Sequence, residues 1–110
     1  MGCKIKKQSG VLYIYLSGEL DQYAAAMIKS KIDVEIEEST EKKVIFDLSG
    51  VSMMDSSGIG LIIGRYKLAT TLGIKIAVCG GNESVKKVIT LSGIEKIIPY
   101  YNKVEEAKEV

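Results

Sequence analysis

Two apolar runs open the chain, the first around Lys4-Ile5-Lys6 and the second over Val11-Leu12-Tyr13-Ile14-Tyr15-Leu16. Both are rich in β-forming residues, and Gln8-Ser9-Gly10 between them has the composition of a hairpin turn. Ser17-Gly18-Glu19-Leu20-Asp21 reads as the end of the second strand and the start of a helix capped by Asp21. The buried stripe of that helix is expected at Ala25, Ile28, Ile32 and Ile36, opposed by Lys29, Asp33 and Glu37. Polar residues 38–43 then lead into Val44-Ile45-Phe46-Asp47-Leu48, a central strand that Ser49-Gly50 is expected to end as a turn. From Ile59 the period changes. Ile59, Ile62, Ile63, Tyr66 and Thr70 recur at helical spacing, with Arg65 and Lys67 between them and Gly73 placed as a stop, which predicts a helix over 57–72.

Lys75-Ile76-Ala77-Val78-Cys79 is a further buried strand, turned by Gly80-Gly81. Asn82 is placed to cap a third helix carrying Val85, Val88, Ile89 and Leu91, and Gly93 to end it. Ile97-Ile98 reads as a short edge strand, where the following Pro99 is tolerated, and Asn102 as the cap of a last helix through about Lys108. The order β-β-α-β-α-β-α-β-α defines an α/β fold. It predicts a mixed sheet of about five strands, the later ones parallel, packed with about four helices in one domain spanning 1–110.

The length of 110 residues bounds the chain to one domain with a real core. Fifteen basic against fourteen acidic residues leave a net charge of +1, with no basic stripe or aromatic platform, so no nucleic-acid partner is expected. The longest apolar stretch, from Ile59 to Gly64, is far short of a membrane span and the amino terminus carries no signal-peptide segment. A cytoplasmic protein without a membrane partner is the expectation. Histidine is absent, which removes Ser-His-Asp and Cys-His catalysis and a favoured metal ligand. Cys3 and Cys79 stand apart without a partner motif, so neither a metal nor a redox site is expected, and Cys79 reads as an inert core thiol.

Candidate chemistry gathers where the central strand meets the long helix, at Met54-Asp55-Ser56-Ser57-Gly58-Ile59-Gly60. Unpaired N–H groups and the positive end of the helix dipole collect over Asp55 to Gly58, so a phosphate on Ser56 or Ser57 would meet donors already pointing at it. The same string also reads as an ordinary helix cap. The outward face of the helix favours the first reading. Gly60, Leu61, Gly64 and Leu68 fall opposite the apolar stripe, and two leucines beside two glycines on a solvent face suggest a docking surface that admits another backbone closely. The spacing of Gly58, Gly60 and Gly64 matches neither the dinucleotide fingerprint nor the P-loop, so no cofactor is expected. Glu19, Asp21 and Asp55 would converge at one end of the sheet, where solvated caps explain them better than acid/base catalysis does. A small α/β enzyme or nucleotide-binding protein is therefore the rival reading, and no catalytic residue is assigned.

The same string, the Ser17-Gly18-Glu19-Leu20-Asp21 segment and the element order resemble STAS domains of the anti-sigma factor antagonist type. Gly64-Arg65-Tyr66-Lys67, Val78-Cys79 and Leu91-Ser92-Gly93-Ile94 through Ile97-Ile98 extend the similarity over nearly the whole chain, nearest the sporulation, anti-sigma F branch. The resemblance implies a partner-switching regulator rather than an enzyme. Its unmodified form would bind a GHKL-type serine kinase that is also the anti-sigma factor, freeing a sigma factor. Phosphorylation of Ser56, the serine after the motif aspartate, would end that binding, and a dedicated serine phosphatase would restore it. Asp55, Ser57, Gly58 and Asp21 would flank the phosphosite. Glu19, Tyr23, Ser56, Ser57, Gly60, Leu61, Gly64, Lys67 and Leu68 would face the partner. A regulatory subunit of another signalling or transport complex is the alternative within the same family.

Overall fold

A computed structural model describes residues 1–109. Strand β1 (Gly2–Gln8) and strand β2 (Val11–Leu20) form the opening hairpin. Its two-residue turn has Ser9 and Gly10 both at positive φ, 53° and 81°, the geometry that matches the twist of paired strands. Helix α1 (Gln22–Glu37), strand β3 (Lys43–Met54), helix α2 (Ser56–Thr71), strand β4 (Lys75–Cys79) and helix α3 (Glu83–Ser92) follow. A single 3-10 turn (Ile94–Lys96), strand β5 (Tyr100–Tyr101) and helix α4 (Val104–Lys108) complete the described chain. The five strands lie in the order β1-β2-β3-β4-β5, the first pair antiparallel and the rest parallel.

Alternation along each strand divides the core between the two faces of the sheet. Leu12, Ile14, Leu16, Val44, Phe46, Leu48, Ile76 and Val78 join the buried faces of α1, α2 and α3 in the larger cluster. Fully buried Phe46 and Ile62 each contribute about 2–3 kcal/mol there. On the other face Val11, Tyr13, Ile45, Ala77 and Cys79 pack against Ala107 of α4. That second layer is thin because α4 has only five residues.

Four local expectations are corrected. Ser49-Gly50 is not a turn: β3 runs on to Met54, and its register against β2 shifts between Tyr15 and Ser17 and again between Gly18 and Glu19. The first shift absorbs one extra β3 residue as a bulge, which uses the same small and polar residue types as a turn. The Asp47 carboxylate accepts from Ser49 N–H at 2.9 Å, and a Cβ on Gly50 would stand 2.9 Å from Ser17 Cβ. Ile97-Ile98 is not the edge strand, which falls at Tyr100–Tyr101; Ile98 instead plugs the core. Lys103, not Asn102, precedes α4, where Glu106 accepts from Lys103 N–H at 3.1 Å. The buried stripe of α1 begins at Ala24, with Ala25 only half-buried.

Candidate functional site

β2 and β3 end in step, Leu20 beside Met54, and each is followed by an aspartate that caps the next helix. Asp21 accepts from Ala24 N–H at 2.9 Å, and Asp55 accepts from Ser57 N–H at 2.8 Å. A long 3.4 Å bond from Asp55 N–H to Leu20 O ties the two strand ends together. The two carboxylates therefore stand at neighbouring positions, at a spacing set by strands about 4.8 Å apart. Gly58 is buried beneath them, where a Cβ would lie 2.5 Å from Met54 Cγ and 3.0 Å from Leu20 Cδ2. A glycine there lets the first turn of α2 sit down on the strand ends.

Ser56 is the first residue of α2 and its side chain is exposed, whereas Ser57 is half-buried on the side facing α1. Two of the first-turn donors are already in use. Ser57 N–H is taken by the Asp55 carboxylate and Gly58 N–H by Asp55 O at 3.0 Å, because a capping aspartate serves its own helix first. The dipole still favours negative charge at this end. Two nearby carboxylates oppose it.

The partner face expected on α2 is also revised. Leu61 is 5% exposed and lies between α2 and α1, and Leu68 is half-buried against the main cluster. The helix is covered on two flanks, by the sheet and by α1, so a reading with one apolar stripe assigns the second flank to solvent. Thr70, which recurs at the spacing of the apolar stripe, is exposed. What remains open is Ser56, Gly60 and Lys67, with Gly64 half-covered. Gly60 and Gly64 have open space where a Cβ would be, and with Ala25, Ala26 and Lys29 of α1 they line a shallow groove of about 360 Å³. Glu19 is exposed at the adjoining strand end, and Tyr23 is 75% exposed. With Asp21 and two residues that sequence reasoning missed, Met1 and Met27, they line a second depression of about 490 Å³. Exposed methionines carry no positional signal in a sequence.

Arg65 is the other omission. Its Nε meets Asp33 Oδ1 at 2.7 Å, joining α2 to α1 behind the groove. Burial pushes the Cys79 thiol up to about 12, with Asp47 and Glu105 adding to the shift, so it is inert as expected. The half-buried Cys3 thiol is also raised, but Lys31 draws it back. Alkylation of the folded protein near pH 8, followed by peptide mapping, should mark Cys3 first, with Cys79 following only in denaturant. Equal labelling of the two in the folded state would contradict this burial. Among the described residues no three His, Cys, Asp or Glu side chains group as metal ligands, and no helix is long and apolar enough to cross a membrane.

Residues 3–107 match the model of the STAS domain family. An anti-sigma F factor antagonist of Paenibacillus polymyxa is 37% identical over 99 residues, 90% of this chain and 85% of that protein. The structure of the anti-sigma factor antagonist SpoIIAA in its unphosphorylated form superposes with a TM-score of 0.82 at 28% identity, covering 98% of this chain and 94% of that one. The Bacillus cell fate determinant SpoIIAA in its phosphorylated form gives a TM-score of 0.73 at 27% identity, covering 98% and 97%. By sequence and by fold, the chain belongs to the STAS domain family, among its anti-sigma factor antagonists.

Proposed function

We propose that this protein is a cytoplasmic anti-sigma factor antagonist that works by binding and not by catalysis. In its unmodified form it binds a GHKL-type serine kinase that is also an anti-sigma factor, releasing a sigma factor for sporulation-specific transcription. Phosphorylation of Ser56 ends the binding, and a serine phosphatase resets it. The observation that carries this reading is the exposed Ser56 at the start of α2, directly after the capping Asp55 and next to Ser57, which lines the open groove with Gly60 and Gly64. The names of the similar proteins support it. The phosphate would add up to two negative charges to a turn where the Ser57 and Gly58 N–H groups already serve Asp55, so its effect falls mainly on the partner rather than on the fold.

Intact mass after incubation with ATP and the kinase encoded nearest in the genome tests this directly. A single gain of about 80 Da, mapped to Ser56 and absent from Ser56→Ala, is expected. No gain with a kinase shown to be active on another substrate would overturn the reading.

A further inference from the structure

Away from the Ser56 turn, α4 packs over β3, β4 and β5 on the face of the sheet opposite α1–α3 and reaches Val11 and Tyr13 at the start of β2, while β1 and the Tyr15–Ser17 end of β2 are more open. There Lys4, Tyr15 and Asp47 stand in one row across β1, β2 and β3. With Lys6, Ser17 and Ser49 they line an open cup of about 630 Å³, within the size range of small-molecule sites. Its floor is kept low by glycines. A Cβ on Gly2 would run into Ser17 Oγ, one on Gly50 would stand 2.9 Å from Ser17 Cβ, and one on Gly80 would run into Ser49 Oγ and lie 3.1 Å from Asp47 Oδ1.

Asp47 sets the chemistry. Its side chain lines the cup although the residue is only 8% exposed, and Oδ1 takes Ser49 N–H. Tyr15 stands beside Asp47 in the β2–β3 register, and its phenol pKa is raised by burial and by this carboxylate. A carboxylate sunk in a protein surface attracts a cationic N–H group more strongly than one in water does. At the rim, Lys4 and Lys6 are exposed and present ammonium groups on the side away from β3. Lys4 and Asp47 are two strands apart, about 10 Å between their Cα atoms. A ligand with only positive charge is repelled by the rim, and one with only negative charge is repelled by the floor. A molecule with both, joined by a short apolar link, satisfies the two ends and lays the link on Tyr15, whose ring stacks on Tyr13 at 5.9 Å.

We propose that this cup is a binding site for a small zwitterion, an amine carrying a carboxylate or phosphate a few bonds away, with the amine on Asp47 and the oxyanion on Lys4 and Lys6. The site is separate from the Ser56 turn and does not depend on how that turn is read. Amide chemical-shift titration of the whole protein with 4-aminobutyrate, 6-aminohexanoate and phosphoethanolamine tests it, with butylamine and butyrate as single-charge controls. At least one zwitterion should give saturable shifts centred on Lys4, Tyr15 and Ser49, and the carboxylate and phosphate probes show which oxyanion is preferred. Asp47→Asn keeps an acceptor for Ser49 N–H and the fold, yet should weaken binding at least tenfold, and Lys4→Gln should weaken it less. Absence of saturable shifts with all three zwitterions, an unchanged response in Asp47→Asn, or equal binding of butylamine would overturn the proposal.

Discussion

Asp33→Ala should cost about 3 kcal/mol of folding stability, more than an exposed charge on a helix contributes. Arg65 is 9% exposed in its side chain and its Nε is buried, so removing the carboxylate 2.7 Å away leaves that N–H without an acceptor and a largely desolvated charge without a counter-ion. The cost is that of stranding the charge. A paired replacement by apolar residues of similar size, Asp33→Leu with Arg65→Met, should therefore recover most of the loss. Urea unfolding at neutral pH measures all three variants, and a midpoint for Asp33→Ala equal to that of the starting protein would show that the pair is idle. The pair also bears on the site. Ala25, Ala26 and Lys29 of α1 face Gly60 and Gly64 of α2 across the groove, and the spacing of the two helices sets its width.

Ser56→Asp should bind the kinase about tenfold more weakly than the unmodified protein, the phosphorylated form weaker still, and Ser56→Ala about as well. The ranking follows from charge. Asp adds one negative charge and phosphate up to two, next in the chain to exposed Asp55 and at the same end of the sheet as Asp21. Ser56 and Asp55 face solvent, so salt screens them, and raising the ionic strength to about 1 M should narrow the gap between Ser56→Asp and Ser56→Ala. Because the cap bonds of Asp55 use backbone donors that the mutation leaves in place, the unfolding midpoint of Ser56→Asp should stay close to that of the unmodified protein. Equal kinase affinity for Ser56→Asp and Ser56→Ala would end the electrostatic account.

Periodicity and caps were legible because they are local. Asp21, Asp55 and Asn82 each accept an N–H from the helix that follows, and Gly93 ends α3 at φ 76°, since capping involves residues only a few positions apart. The element order follows from the same signals, as does the burial of Cys79 in a run of β-formers. Ambiguity began where one composition serves two geometries. Ser49-Gly50 makes a bulge when a neighbouring strand is there to pair with it and a turn when none is, and that neighbour, β2, lies more than thirty residues earlier in the chain.

The chain alone thus determined its helices, most of its strands and the position of a serine at a capped helix start, all consequences of contacts within a turn or two. Only the tertiary structure decided which faces stay open. Helix α2 touches both the sheet and α1, which buries Leu61, brings Arg65 to Asp33 and leaves Ser56, Gly60 and Lys67 as the exposed stripe. It also sets Asp47 in a row with Tyr15 and Lys4 on a half-covered sheet. Such pairings join residues distant in sequence, and burial is a property of what another element covers, so no periodicity within one segment encodes them.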